Sequence, residues 1–438
     1  MRTSLPREIP HGRQFLQTHY RKTQLSNGLR VVTEQIPYVR SISVGVWINV
    51  GSRDESSGQN GISHFLEHMV FKGTEHYSIR RIAQSIEQVG GYLNAFTTKE
   101  HTCYYARILD DYLEEALDVL SDLVRYPLFP QKELEKEKGV ILEELKNIED
   151  DPDDLIHDYF DKNIYRNHPL GYPIIGRAET IGGFRRSDLR KYVAGHYTPD
   201  RMIVAAAGNL RHEEVTELAE RYFGSMKPAS GGGRRTAGPR TLKPRKEIFE
   251  KPIAQAHLCT GTIGYHVKSR ARYPYLVLNS LLGEGMSSRL FQNIREKYGF
   301  AYNVYSFANL LSDTGCFGIY IGTDVRHIDR SLRLIETELG KLASKPVTPS
   351  ELRRTKAQLK GSMMLGLESM SNRMMRLGSG EIYFGEYLSL DEVLTHIEAV
   401  TIDDVADVSR KLFRPDQFST VIIRPKSGAQ TAAAATAA

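Results

Sequence analysis

The sequence predicts an α+β protein built from two related domains, and three observations carry that prediction. The chain has 438 residues, more than one ordinary domain, and divides naturally into two cores of about 200 residues each. A break is visible at 227–246, where Gly and Pro punctuation and almost no large apolar side chain give the composition of a linker. The two halves also echo each other. Ile86-Glu-Gln-Val-Gly-Gly-Tyr-Leu-Asn94 lines up with Ile294-Arg-Glu-Lys-Tyr-Gly-Phe-Ala-Tyr302, and Glu133-Leu-Glu-Lys with Glu351-Leu-Arg-Arg. The expected layout is an N-terminal domain over 1–226, the linker over 227–246 and a homologous C-terminal domain over 247–426. A low-complexity, Ala-rich tail over 427–438 is expected to be disordered.

In chain order, Ile42, Val44, Val46, Ile48 and Val50 alternate with small or polar neighbours, which predicts a half-buried strand. Next comes Gly61-Ile-Ser-His64-Phe-Leu-Glu67-His68-Met-Val-Phe71. On a helix, at about 100° per residue, His64 and His68 stack one turn apart with Glu67 in the same third of the circumference. Two imidazoles so placed can share one zinc, while the carboxylate reaches the water at an open coordination position. This is the zincin motif reversed, H-x-x-E-H. Leu113, Leu117, Leu120 and Val124 keep helical spacing.

A three-ligand zinc site needs one more donor. Glu133-Leu-Glu-Lys-Glu137-Lys-Gly-Val-Ile-Leu-Glu143-Glu144-Leu reads as a second helix, and Glu137 and Glu144 are seven apart, so they face the same way. Val140 and Ile141 lie between them, which predicts a buried face. A buried carboxylate lacks solvation unless it is paired or bound to metal. Glu143 is expected on the wet side. After Pro152 an acid-rich helix begins, and the second half supplies strands at Ala256–Gly264, Gly315–Gly322 and Ser419–Ile423.

These residues resemble the pitrilysin/insulinase family of zinc peptidases, in the branch of mitochondrial and bacterial processing peptidases. The resemblance spans roughly Gln24 to Arg424. In that family the third ligand follows the second histidine by seventy-six positions, which here is Glu144, and a supporting glutamate seven positions earlier is Glu137. The resemblance implies two homologous domains, each a mainly antiparallel sheet packed with helices, closing like a clam around a chamber. It implies Zn²⁺ held by His64, His68 and Glu144, with Glu67 as the base. It implies that Arg295 and Tyr302 reach the substrate from the second domain. A cation and a phenol beside the carbonyl would stabilise its developing negative charge. In the second copy Glu144 falls on Ser362 and Glu137 on Thr355, and the stretch Tyr275–Ser280 has no histidine. Only the first copy is therefore expected to hold metal.

Further positions carry over singly. Asn94 and Ala95 match the edge strand on which the family pairs extended peptide, a mode that binds backbone and tolerates many sequences. Phe71 stands where processing peptidases build the pocket for the residue after the scissile bond. Asp154 and Asp158, ten and fourteen positions beyond Glu144, stand where those enzymes grip an arginine near the cut. The first of these is usually a glutamate, so Asp154 has a shorter reach. Asp150 to Asp158 is acid-rich in any case, and a plain solvated helix start is the competing reading. The family also includes non-catalytic partner subunits and respiratory-complex core proteins. Those lose the H-x-x-E-H residues or the distal glutamate, and this chain keeps all of them.

Composition narrows the rest. The linker carries seven basic residues and no acid, so the formal +5, less these seven, leaves −2 for the remainder. The basic balance belongs to the linker, and nucleic-acid binding is set aside. Cys103, Cys259 and Cys316 lie in predicted strands, an odd count with no close pair, as expected for reduced core residues. No apolar run approaches the ~18 residues of a membrane span. The first ten residues lack a secretory signal's apolar core, and two early prolines with Glu8 speak against an organellar leader. The expected setting is the cytoplasm of a bacterial-type cell rather than the mitochondrial matrix. The expected partners are unfolded peptides and a second copy in a homodimer.

Overall fold

The structure is a computed structural model that describes residues 19–228 and 235–426. Part of the expected linker and the Ala-rich tail lie outside the described residues. The first half opens with β1 (His19–Gln24), β2 (Arg30–Gln35) and β3 (Ser41–Ile48). Then come α1 (Ile62–Val70), α2 (Ile79–Glu87), β4 (Tyr92–Thr97), β5 (Thr102–Leu109) and α3 (Leu113–Arg125). It continues through α4 (Gln131–Asp150), α5 (Pro152–Ile164), α6 (Ala178–Gly183) and α7 (Arg186–His196) to β6 (Met202–Gly208) and α8 (His212–Phe223). The second half runs β7 (Lys246–Lys251), β8 (Ala256–Ile263), α9 (Arg272–Gly283), β9 (Ala301–Leu310) and β10 (Gly315–Thr323). It ends with α10 (Ile328–Ser344), α11 (Pro349–Gly366), α12 (Met370–Phe384), α13 (Leu390–Ala399), α14 (Ile402–Leu412) and β11 (Ser419–Pro425).

The duplication is written in the sheets. The first has strand order β1-β2-β6-β3-β5-β4 and the second β7-β11-β8-β10-β9. Each holds one parallel pair, β2 with β6 and β7 with β11, and is antiparallel elsewhere. Apart from the extra β1, the order is the same. The predicted strands at 256–264, 315–322 and 419–423 appear as β8, β10 and β11, and the 113–124 helix as α3.

One expectation fails. β3 is not half-buried; from Ile42 to Ile48 it is buried on both faces. Ile42, Val44 and Val46 face one core, which α3 helps to close. Trp47 faces the other side, where Met374 and Leu377 of α12 cover it with Val32, Cys103 and Ile203. The small residues between the branched ones do not mark a solvent face. They leave room for a helix from the other half of the chain: a Cβ on Gly45 would press on the Met374 sulfur, and one on Gly378 would run into the Trp47 indole.

The second sheet is covered reciprocally. Leu155, Ile156 and Phe160 of α5 pack on Cys259, Cys316, Val421 and Ile423. Each half thus lends one helix to the other's sheet, while the main core of each half is built from its own residues. The described part of that linker is itself docked. Arg235 pairs with Asp54 at 2.7 Å, and Gly238 N donates to Asp313 at 2.8 Å. The three cysteines are free and buried. No helix among the described residues is long and apolar enough to cross a membrane.

The tight seat of α12 gives a prediction. Gly378→Ala gains about 1 kcal/mol of helix propensity in isolation, but overpacking a rigid indole costs about 1–3 kcal/mol. Urea denaturation should show a lower midpoint for the variant; a raised midpoint would contradict the close packing of α12 on Trp47.

Candidate active site

Helix α1 forms the floor of the candidate site. Ile62, Phe65, Leu66, Met69 and Val70 are buried, and this apolar stripe turns His64, Glu67 and His68 to the opposite, partly open face. The helix starts at Gly61, which has φ +93° and lies so close to Gly176 that no Cβ fits between them. Helix α4 and strand β4 both pack beside α1.

One ligand-type atom from each of His64, His68 and Glu144 lies within 4.8 Å of the others. His64 Nε2 is 3.8 Å from Glu144 Oε1, and His68 Nε2 is 3.6 Å from Glu144 Oε2. Ligand atoms at tetrahedral zinc sit about 3.3 Å apart, so His64, His68 and the Glu144 carboxylate are close enough together that they would hold one such ion. The other ring nitrogen of His68 supports that arrangement. His68 Nδ1 lies 2.9 Å from Glu137 Oε1, and Lys72 Nζ is 2.8 Å from Glu137 Oε2. A donated Nδ1–H fixes the tautomer that leaves the Nε2 lone pair facing Glu144. Burial works to raise the Glu137 carboxyl, but the bonds from His68 and Lys72 outweigh it and hold it low. Burial and the neighbouring His68 push His64 down to about 4, so its ring is neutral, the form that ligates metal.

Glu67 is half-buried. Desolvation raises its carboxyl pKa, a hydrogen bond from Thr97 and the His68 ring pull it back, and Glu144 raises it further. Its Oε2 is buried with no hydrogen-bond partner among the described residues. An acceptor in that position suits a water held beside the metal ligands. The expected buried face of α4 is only partly realised. Glu137 and Ile141 are buried, but Val140 is exposed and the Glu144 side chain keeps 41% of its surface. Glu144 looks into an open space rather than into the core, as a ligand to a reachable metal must. Glu143 is exposed and pairs with Lys146.

The remaining expected residues divide. β4 is the edge strand of its sheet and carries Asn94, exposed, and Ala95. Its last residue, Thr97, is the one bonded to Glu67, so the free edge runs up to the candidate base. Phe71 closes α1 and meets Tyr104 edge-on at 6.4 Å. Asp154 and Asp158 lie one turn apart on α5. Asp154 is exposed, whereas Asp158 lines a cavity of about 650 Å³ bounded by α4, α5 and the loop from Tyr165 to Glu179. Burial pushes Asp158 up to about 6, with Lys99 pulling it down and Asp161 and Asp154 raising it.

Arg295 and Tyr302 are not brought to the cluster. Arg295 is exposed on a π-helical turn, Phe291–Glu296, with its guanidinium 4.7 Å from the Phe291 ring centre. Tyr302 is 62% exposed on β9, the edge strand of the second sheet. Among the described residues no hydrogen bond, ion pair or ring contact ties either one to His64, His68 or Glu144.

Sequence reasoning missed Lys72 and Thr97. Lys72 follows His68 by four positions, the spacing of one helical turn, which was the available signal. Thr97 reaches Glu67 only through the fold, and no local pattern announces it.

Comparison with known proteins gives the family. Residues 30–178 match the family model "Insulinase (Peptidase family M16)", and residues 183–359 match "Peptidase M16 inactive domain". The chain belongs to the insulinase family of peptidases, M16. It is 44% identical over 399 residues to the uncharacterized zinc protease YmxG of Bacillus subtilis, covering 91% of this chain and 97% of that one. It is 42% identical over 396 residues to an uncharacterized zinc protease of Streptomyces coelicolor, covering 89% and 86%. A crystal structure of a protease from Helicobacter pylori superposes with a TM-score of 0.88 at 24% identity, covering 93% of this chain and all of that one. A peptidase M16 inactive domain from Pseudomonas fluorescens gives 0.87 at 21%, covering 93% and 98%. Both structures share the fold, with its two sheets packed by helices.

Proposed function

We propose that the protein is a zinc endopeptidase that cuts extended, unfolded peptides, with His64, His68 and Glu144 as ligands and Glu67 as general base. The observation that carries this reading is the convergence of two imidazole Nε2 atoms on one carboxylate, beside a desolvated Glu67. A non-catalytic relative has no need for a complete donor set with its supporting Glu137 and Lys72. The zinc protease names of the relatives point the same way.

Zinc held there would supply a water whose pKa is about 7 and would polarise a peptide carbonyl. The protein's own groups do the rest. Glu67 accepts the proton of the attacking water on a carboxylate oxygen and returns it to the departing amine. The edge of β4 pairs with the backbone of the peptide, so binding tolerates many sequences. Arg295 and Tyr302, exposed on the second half, are the groups that would stabilise the developing charge of the carbonyl oxygen. Phe71 would favour an apolar residue after the cut. Glu67→Gln should abolish turnover and keep the metal, because it removes the base and spares every ligand. Zinc analysis and a quenched-peptide assay check this, and retained turnover would contradict the assignment.

We also propose a preference for arginine near the cut, as in processing peptidases, with Asp154 and Asp158 as its partners. A charge-assisted contact is worth roughly 1.5–3 kcal/mol, about ten- to a hundredfold in rate. Because burial pushes the Asp158 carboxyl up to about 6, it is neutral in acid and charged above that pH. The ratio of kcat/KM for arginine over alanine peptides should therefore rise from pH 5 to pH 8, and collapse in Asp154→Asn with Asp158→Asn. A flat ratio would return these acids to a solvated helix start.

A further inference from the structure

Helix α1 begins without a side-chain cap. Its N-cap is Gly61, which offers nothing to accept the free N–H groups of the first turn. Those donors are met from outside the helix. Buried Glu55 accepts the Gly61 N–H on Oε2 at 2.7 Å and the Ser63 N–H on Oε1 at 2.9 Å, while Asn60 Nδ2 donates to it at 3.1 Å. A carboxylate there also faces the positive end of the helix dipole. Burial pushes the Glu55 carboxyl up to about 7 against the pull of the Ser63 and Gly61 N–H groups. Ser63 immediately precedes His64, so this carboxylate holds the turn from which His64, Glu67 and His68 project.

Two residues earlier, Arg53 faces the other way. Its side chain is fully buried and ion-paired to Glu100, in the turn between β4 and β5. It is also 2.7 Å from Asp313, in the turn between β9 and β10 of the second half, and donates to the Thr236 carbonyl of the linker at 2.8 Å. Ser312, beside Asp313, donates to Glu100 from its N–H at 2.9 Å and from its hydroxyl at 2.6 Å. Buried charges of this kind have no water to fall back on, so removing one partner strands the other. The stretch from Arg53 to Glu55 thus grips the second half at one end and the metal-binding helix at the other.

We propose that Glu55 is the positioning residue of the metal-binding helix, and that Arg53 anchors it, through Asp313 and the linker, to the second half. This rests on His64, His68 and Glu144 binding metal. It gives the second half a mechanical hold on the metal site that is separate from any contact of Arg295 or Tyr302 with substrate. Glu55 touches no reacting atom; it acts through α1.

The test uses the full chain with Co²⁺ in place of zinc. Visible spectra report ligand geometry, chelator competition reports affinity, and peptide cleavage gives kcat and KM. In Glu55→Gln an amide NH₂ replaces one of the two acceptor oxygens, so one of the two backbone N–H groups, Gly61 or Ser63, loses its acceptor. Cobalt should then bind about tenfold more weakly, with shifted visible bands. Its kcat should fall about tenfold or more while KM stays within about twofold, as expected when reacting groups are misplaced rather than lost. Asp313→Asn, at a half-exposed side chain, should show the same changes in smaller size, and it remains informative if the first variant folds poorly. A merely structural role would lower the melting point and leave the cobalt bands of folded protein unmoved, overturning the proposal. An unchanged Asp313→Asn would overturn the anchoring. Failure of the unaltered protein to bind cobalt would instead overturn the metal reading beneath both.

Discussion

A sheet with two apolar faces must have both of them covered, and in this chain neither half can do so alone. The first sheet is closed by α12 from the second half and the second by α5 from the first. This exchange decides more than stability. α5 follows α4 after a single residue, Asp151, which caps its start. The helix that carries Glu137 and Glu144 is therefore continuous, through a tight corner, with the helix embedded in the other half. The carboxylates of the candidate metal site are held by the first half's packing at one end and by the second half's sheet at the other.

The duplication shows what a metal site demands. In the second half α11 stands where α4 stands in the first, with buried Thr355 in place of Glu137 and exposed Ser362 in place of Glu144. Helix α9, the counterpart of α1, is apolar and has no histidine. A buried carboxylate needs its own cation and donor, which Lys72 and His68 supply to Glu137. Once the histidines are absent, a threonine fits the same place without an uncompensated charge. The topology persists while the candidate donor set does not, because strand order depends on which positions are apolar and the donor set depends on three named side chains.

Much of this was legible in the sequence. The histidines and Glu67 share a local helical spacing, and the seven-residue step from Glu137 to Glu144 survives as a common face turned toward His68. β3 was misread for a physical reason: glycine and serine between branched residues look like a wet face, yet here they admit a helix from more than 300 residues away in sequence. The linker's basic, Gly-rich composition likewise gave no sign that Arg235 and Gly238 meet acids from both halves. The expected burial of Val140 failed because the stripe on α4 is narrow. Thr97 and Glu55 act through tertiary contacts that a linear pattern does not display. Arg295 and Tyr302 were read from family spacing, and in the structure they stand exposed on the second half without a contact to the cluster.

The central claim is that His64, His68 and Glu144 hold one metal ion through the two Nε2 atoms and a carboxylate oxygen. Anomalous diffraction at the zinc edge, from crystals grown with one equivalent of Zn²⁺, tests it most directly. The account predicts a single strong peak within bonding distance of those three atoms, with Glu67 beside the ion but outside its ligands and His68 Nδ1 still on Glu137. A peak elsewhere, or coordination through His68 Nδ1 with Glu137 displaced, would contradict it.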